Sequence, residues 1–261
     1  KTLLHPYLEH HGVLAFAHRG GAEEFPENTM RAFRSAVDLG FRYLETDAHL
    51  TADGRLLAFH DDRLERVTNG EGLIRQLPWS EVRQAKVAGT DAIVELEELL
   101  ETFPDVRFNI DIKAWPALLP TLHLISRMGI WDRVCIGSFS DLRLGKVRNW
   151  LLNAGKPPCT SMGPLGVMAI KARELGLPGR SLAQCAQVPV SHWGMRVVTK
   201  RFVDVCHAMN MQVHVWTIDE PDEMRELIGM WVDGLMTDKP SVLKQVLVAD
   251  RGGEGAVTLA Q

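Results

Sequence analysis

The chain alternates short apolar runs with amphipathic stretches along most of its length. The first apolar run covers residues 13–17, and the next stretch places Met30, Phe33 and Val37 on one helical face before Gly40. Asn or Thr before a helix and Gly just after it are the expected end signals, so this stretch predicts a helix. Further strand-like runs lie at 42–47, 56–60, 107–112, 133–137, 158–161, 182–188, 212–217 and 233–237.

Helical stretches separate most of these runs, at 116–127, 140–153, 166–176, 200–209, 221–230 and 240–249. Repeated strand–helix units are typical of an α/β protein with a parallel sheet. Eight or nine strands are enough to close a TIM-type (β/α)8 barrel, which is the fold that we predict. An open, doubly wound sheet is the alternative, but no Gly-x-Gly-x-x-Gly follows the first strand to support it.

Residues 61–95 break the alternation, since they contain turn residues, the segment Gly70-Glu71-Gly72 and a short helix near 80–85. We predict a small insertion here, after the strand ending at His60, within a single domain that covers residues 1–261. The Gly-rich tail from Arg251 is predicted to be disordered.

Composition excludes several classes of protein. Of the 261 residues, 46% are hydrophobic and 24% are charged, as in globular proteins with a sizeable core. The net charge of -4 gives no electrostatic sign of nucleic-acid binding. No run reaches the ~20 apolar residues that span a bilayer. The four cysteines form no Cys-x-x-Cys pair, so we expect free thiols and a cytoplasmic location, although the first residue, Lys1, leaves a removed signal peptide open.

Acidic residues stand at the carboxyl ends of two predicted strands. Glu45 and Asp47 are two positions apart, so on a strand they face the same side, and Asp111 and Lys113 repeat the pattern. In a barrel these strand ends form the active face. Crowded carboxylates repel one another unless a cation compensates, and oxygen-only ligands favour Mg²⁺ or Ca²⁺. The alternative is that Glu45 and Asp47 only make ordinary salt bridges. The same pattern at a second strand end, with Asp111 and Lys113, argues against this alternative.

Two histidines, His18 and His60, also end strand-like runs. A lone histidine in such a place is usually a hydrogen-bonded structural residue, but two beside a metal site suit a general acid and a general base. Arg19 offers a planar fork for phosphate oxygens and Lys113 a point charge. His49 shares the strand parity of the two acids, and we expect it to pack.

The order and spacing of these residues resemble the glycerophosphodiester phosphodiesterase family. The resemblance rests on His18-Arg19-Gly20, Pro26-Glu27-Asn28-Thr29, Glu45-x-Asp47, Thr51-x-Asp53-Gly54, His60-Asp61, Asn109-x-Asp111-x-Lys113, Trp216-Thr217 and Asp233-Gly234-x-x-Thr237-Asp238, over roughly residues 13–248. It implies a TIM-type barrel that holds a metal with Glu45, Asp47 and Asp111, uses His18 and His60 as acid and base, and binds phosphate with Arg19 and Lys113. It further implies that Trp216 helps to wall the substrate pocket. The family carries Glu where this chain has Asp111, so the acid here is one methylene shorter.

The predicted function is metal-dependent hydrolysis of a small glycerophosphodiester to glycerol 3-phosphate and an alcohol. Water or the substrate's own glycerol hydroxyl is the nucleophile, and either histidine suits either role. One alternative is phospholipase-D-like cleavage of lysophospholipids, which needs an apolar groove at the mouth. To build such a groove the insertion offers only Leu73, Ile74, Leu77 and Trp79. Residues of this kind more often pack an insertion onto its barrel. The other is a non-catalytic barrel that binds phosphodiesters, against which the complete set of site residues argues. The sequence does not indicate an oligomeric state.

Overall fold

The structure is a computed structural model that describes residues 5–192 and 194–249; the tail predicted to be disordered lies outside these residues. Its strands are β1 (Leu14–Ala17), β2 (Tyr43–Leu50), β3 (Leu56–Ala58), β4 (Lys86–Val87), β5 (Asp91–Ala92), β6 (Val94–Glu95), β7 (Arg107–Ile112), β8 (Val134–Gly137), β9 (Cys185–Pro189), β10 (Ser191–His192), β11 (Met195–Arg196), β12 (Gln212–Trp216) and β13 (Gly234–Thr237). Its α-helices are α1 (Met30–Asp38), α2 (Trp79–Val82), α3 (Leu96–Thr102), α4 (Trp115–Met128), α5 (Asp141–Asn153), α6 (Pro164–Glu174), α7 (Lys200–Ala208), α8 (Pro221–Gly229) and α9 (Pro240–Ala249).

Parallel pairing closes the sheet into a ring. Strand β1 pairs with β2 and β13, β2 pairs with β7, β7 with β8, and β12 with both β9 and β13. Between β8 and β9, Ile136 pairs with Thr160 and Ser161 pairs with Cys185, so residues 160 and 161 supply the remaining parallel segment. The ring therefore has eight parallel members, and the predicted TIM-type barrel is confirmed.

Strand parity divides the core into two layers. Odd-numbered residues of β2 point into the barrel, because Tyr43 packs there with Leu14, Phe16 and Met236. Even-numbered Leu44 packs outward against the surrounding helices, in a layer with Phe33 of α1. The same parity directs Glu45 and Asp47 inward, nearer the carboxyl end of the barrel.

The run predicted at 56–60 differs from the other strands. Strand β3 ends at Ala58, pairs antiparallel with the end of β2, and lies outside the barrel ring. His60 therefore lies two residues beyond a strand rather than at its end. The reason is that residues Thr51 to Gly54 form a tight turn, which folds β3 back antiparallel to β2. Parallel strands are instead joined by longer crossovers, usually helical.

The segment between β3 and β6 holds a 3₁₀ turn at Ile74–Gln76, helix α2 and the hairpin of β4 and β5. Ile74 is buried with Leu57, Phe59 and Val82 in a separate apolar cluster, against which Leu77 and Trp79 also pack. These side chains therefore hold the segment on the barrel and do not line a groove. Among residues 5–192 and 194–249, no helix is both long and apolar enough to cross a bilayer.

Candidate active site

The predicted site residues meet at the carboxyl end of the barrel. The register of β2 and β7 places Asp47 directly beside Asp111 and Glu45 beside Asn109. Ala17 pairs with Leu44, so His18, which directly follows β1, emerges beside Glu45. Residues far apart along the chain thus reach one place because the strands are parallel and share a register.

His18 lies between two carboxylates. Its Nδ1 is 2.7 Å from Oδ1 of Asp238, which follows β13, and its Nε2 is 3.8 Å from Oε2 of Glu45. Burial acts to lower the pKa of His18, but the negative charges of Glu45 and Asp238 outweigh burial and raise that pKa. The Asp238 contact orients the ring and leaves Nε2 facing the carboxylate cluster.

His60 has a comparable partner. Its Nδ1 is 2.6 Å from Oδ1 of Asp61, and Arg66 ties Asp61 to Glu27. The hydrogen bonds from Arg66 and His60 lower the pKa of Asp61 to about 2. His49, which we expected to pack, is buried and places Nε2 2.9 Å from the His60 backbone oxygen, so it supports the loop that carries His60.

Two cations hold the carboxylates. The ammonium of Lys113 lies 3.0 Å from Oδ1 of Asp47 and 2.6 Å from Oδ2 of Asp111. Arg19 places its Nε 3.6 Å from Oδ2 of Asp47, and its backbone N–H donates to Glu45 over 3.0 Å. That Nε is buried without a hydrogen-bond partner among the described residues. An anionic ligand would supply the missing acceptor.

A tight turn presents Arg19. The residue has a left-handed φ of 51°, and Gly20 follows with a φ of 83°. A Cβ on Gly20 would lie 2.8 Å from the Cβ of Ala32 in α1, so only glycine lets the turn pack on this helix. Gly20 therefore serves the turn and the helix contact.

The buried carboxylates and cations of the cluster shift one another's pKa values. Burial and the charge of Asp47 raise the pKa of Glu45 to about 7. Burial would also raise the pKa of Asp47, but the charges of Lys113, Arg19 and His60 outweigh it and lower that pKa. Burial raises the pKa of Asp111 in spite of Lys113. A further positive charge beside Glu45 would relieve this repulsion.

The three carboxylates fit a hard divalent ion in their donor chemistry. Oδ1 of Asp111 is buried without a hydrogen-bond partner among the described residues, and the raised pKa of Glu45 indicates uncompensated charge. No three His, Cys, Asp or Glu side chains in the described part of the chain already converge as a metal cluster. Lys113 instead bridges Asp47 and Asp111.

Trp216 lies half-buried at the end of β12. Its ring meets that of Phe139 edge to face, with centroids 5.8 Å apart. The Phe139 ring also lies 5.4 Å from Nζ of Lys113. Trp216 thus stands at the barrel mouth, one ring away from the Lys113 ammonium.

Sequence reasoning gave no role to four residues of this arrangement. Asp238 and Asp61 were part of the motifs but received no role, although both follow strands at the active face. Phe139, just after β8, gave no polar signal at all. Asn28 completes the cluster, because its Nδ2 donates to Asp47 over 3.2 Å and its Oδ1 accepts from Thr46 over 2.8 Å.

Comparison with known proteins agrees with the fold and indicates a family. Residues 18–242 match the family model described as "Glycerophosphoryl diester phosphodiesterase family". The chain is 40% identical to a probable glycerophosphodiester phosphodiesterase 2 of Mycobacterium tuberculosis, over 96% of each chain. It is 28% identical to the lysophospholipase D GDPD1 of Homo sapiens, over 94% of this chain and 90% of that one.

A solved structure has the same fold. The structure of an Oleispira antarctica phosphodiesterase in complex with the product sn-glycerol-3-phosphate superposes with a TM-score of 0.76 at 20% identity, and the match covers 91% of this chain and 97% of that one. At that identity the likeness shows the fold. Taken with the family model and the 40% identical relative, it leads to one conclusion. The chain belongs to the glycerophosphoryl diester phosphodiesterase family of enzymes.

Proposed function

We propose that the protein hydrolyses glycerophosphodiesters to glycerol 3-phosphate and an alcohol, and that a divalent metal ion assists it. The observation that carries the proposal is a pair of histidines, each bonded through Nδ1 to an aspartate, beside buried carboxylates and two cations. The name of the 40% identical relative agrees with this substrate class. The product bound to the Oleispira antarctica phosphodiesterase agrees with glycerol 3-phosphate as a product.

In this proposal Glu45, Asp47 and the free Oδ1 of Asp111 hold the metal, either Mg²⁺ or Ca²⁺. A bound divalent ion supplies Lewis-acid polarisation of a phosphate oxygen. Arg19 and Lys113 bind the other phosphate oxygens and neutralise the charge that develops as the phosphorus is attacked. The buried Arg19 Nε, without a partner among the described residues, supports this role.

His18 and His60 move the protons. With Nδ1 held by Asp238 or Asp61, each ring keeps Nε2 for a reacting group. One ring accepts the proton of the nucleophile as its oxygen bonds to phosphorus. The other donates a proton to the alcohol oxygen as the bond between that oxygen and phosphorus breaks. Such a positioned group contributes about 10²–10⁴ in rate. Trp216 walls the pocket on the side of Phe139.

Turnover of glycerophosphocholine tests the proposal. The purified protein should release choline with Mg²⁺ or Ca²⁺, lose activity in excess EDTA and recover it when the cation is restored. His18→Ala and His60→Ala should each lower kcat/KM by about 10²–10⁴ without a change in circular dichroism.

His123→Ala is the matched control, because His123 is exposed on α4 and its ring lies 5.8 Å from that of Trp150, away from the carboxylate cluster. This variant should keep full activity. A fully active His18→Ala protein would refute the acid–base assignment, and full activity in EDTA would refute the metal.

Lysophospholipids are a second candidate substrate, as the name of the 28% identical human relative suggests. The structure does not build a groove from the insertion, since Ile74, Leu77 and Trp79 pack inward. Hydrolysis of lysophosphatidylcholine alongside glycerophosphocholine compares the two candidates directly.

A further inference from the structure

The segment between β3 and β6 brings one charged side chain to the candidate active site. Arg66 lies in the loop that follows His60, and its guanidinium contacts two carboxylates, those of Asp61 and Glu27. The apolar packing of the segment attaches it to the barrel. That packing does not explain why an arginine of the segment contacts both carboxylates.

The guanidinium of Arg66 forms a double fork. Its Nε and Nη2 donate to the two oxygens of Asp61 over 2.5 and 3.0 Å. Its Nη1 and Nη2 donate to the two oxygens of Glu27 over 2.9 and 2.6 Å. Every nitrogen of the guanidinium therefore has a partner, and each carboxylate is held at two points. A planar fork fixes the direction of a carboxylate as well as its distance, which a lysine ammonium does not do.

The two carboxylates in turn contact residues of the proposed chemistry. Oδ1 of Asp61 lies 2.6 Å from Nδ1 of His60. Oε1 of Glu27 accepts a hydrogen bond from Nη1 of Arg19 over 3.2 Å. Arg66 is therefore separated by one carboxylate from the ring that moves a proton, and by another from the side chain that binds phosphate.

The loop that carries Arg66 is fixed on both sides of that residue. Leu64 is buried in the apolar cluster of the segment, and its N–H donates to the oxygen of Gly72 over 3.1 Å. The N–H of Ala88 donates to the oxygen of Val67 over 2.9 Å. The fixed backbone and the paired guanidinium together limit the positions that the two carboxylates can take.

Exposed ion pairs commonly contribute little to stability, and the Arg66 side chain is 47% exposed. Arg63 in the same loop forms a pair of that ordinary kind, since it is 53% exposed and donates to Glu65 two residues away. Arg66 differs because its partners are largely buried, Glu27 at 12% and Asp61 at 23% exposure. Their contacts with the site give Arg66 a part in catalysis that Arg63 lacks.

We propose that Arg66 is a positioning residue for the reaction. It holds Asp61, and through Asp61 it orients the ring of His60 relative to the phosphate that Arg19 binds. The inference rests on the proposed function for the roles of His60 and Arg19. It gives the segment between β3 and β6 a function, which is to support Arg66. Misplacement of a reacting group by about 1 Å costs about 100-fold in rate, so loss of Arg66 should lower kcat by about that factor.

Hydrolysis of glycerophosphocholine tests the link through Asp61. Arg66→Ala should lower kcat about 100-fold, whereas Arg63→Ala, which removes a similarly exposed arginine of the same loop, should keep the kcat of the parent. The double variant Arg66→Ala with Asp61→Asn should be no slower than Asp61→Asn alone, because the effect of Arg66 passes through that carboxylate. Losses that multiply in the double variant would overturn the proposal.

Free guanidinium ion gives a measurement that a general effect on folding would not change. The site of Arg66 is open to solvent on one side, so the ion can enter the space left in Arg66→Ala and bridge the two carboxylates. Guanidinium, at concentrations far below those that unfold the protein, should raise the kcat of Arg66→Ala, and methylammonium should not. Arg63→Ala should respond to neither ion. Equal recovery with both ions, or recovery with neither, would contradict a role for the fork.

NMR spectra of the histidine rings report the position of His60 without turnover. The signals that disappear in His60→Ala identify this ring. They should shift in Arg66→Ala and stay in place in Arg63→Ala; unchanged signals in Arg66→Ala would overturn the proposal. A shift in Arg66→Ala, in a protein that hydrolyses no glycerophosphodiester, would reject the proposed function alone. Hydrolysis by Arg66→Ala at the rate of the parent would reject the positioning role alone.

Discussion

Acid should destabilise the protein through His214, which lies wholly buried on β12 inside the barrel. Its Nε2 is 3.0 Å from Oε1 of Gln212, and its Nδ1 is 3.4 Å from Nε2 of Gln187. Burial lowers the pKa of His214 to about 3. In the unfolded chain the ordinary pKa of histidine is about 6.5. The unfolded state therefore takes up a proton below pH 6.5, while the folded state does not until about pH 3.

The sign and size follow from proton linkage. The contribution of neutral His214 to the free energy of unfolding is fully present above pH 6.5. It is lost as the pH falls toward the pKa that His214 has in the folded state. At pH 5 the loss in unfolding free energy is about 2 kcal/mol, and near pH 3 it approaches roughly 5 kcal/mol. The value at pH 5 depends little on the folded pKa, because His214 in the folded protein is still neutral at that pH.

Urea unfolding at pH 7.5 and pH 5.0 measures this loss. The variant His214→Gln keeps an amide for Gln212 and Gln187 but does not titrate, and His123→Gln changes an exposed histidine instead. Between the two pH values, His214→Gln should lose about 2 kcal/mol less than the parent, whereas His123→Gln should follow the parent. Other histidines titrate in all three proteins, so the differences isolate position 214. Parallel losses in the parent and His214→Gln would refute the reasoning.

Three further changes are expected to have separable effects. Asp238→Asn keeps a hydrogen-bond acceptor for His18 but removes the charge, so kcat/KM should fall about 100-fold with little change in the urea midpoint; unchanged kinetics would contradict the role of Asp238 in orienting that ring. Lys113→Met leaves two buried carboxylates without their shared ammonium, and urea unfolding in metal-free buffer should show a loss of about 2–3 kcal/mol; equal stability would contradict the bridge. The Oγ1 of Thr29 accepts a hydrogen bond from the Ala32 N–H and so caps α1. Thr29→Ala removes this cap and should lower the free energy of unfolding by about 1 kcal/mol, which Thr29→Ser should restore.

The alternation of strand-like and helical stretches predicted the barrel, and the two-residue repeat within strands predicted which face each side chain takes. Glu45 and Asp47 are two residues apart, so any strand at this position puts both on one face, and the apolar neighbours then make that face interior. The same reasoning covered Asp111. The even or odd position of a residue within its strand was sufficient to predict its face, because successive side chains point to opposite faces in every sheet.

The sequence was less informative about elements whose partners are remote. The apolar run at 56–60 looked like the other strands, and only its antiparallel pairing with β2 excluded it from the ring. The run at 158–161 contributes just two paired positions to the barrel. Strand length and direction depend on which neighbour accepts the hydrogen bonds, and local composition does not specify that neighbour.

The sequence by itself determined the fold class, the family and the residue types that gather at the active face. Only the tertiary structure decided which side chains are in contact. His18 contacts Asp238, which lies 220 positions away along the chain, and Lys113 bridges Asp47 and Asp111. The physical reason is that periodicity is a property of neighbouring residues, whereas charge pairing between remote residues arises from barrel closure and register.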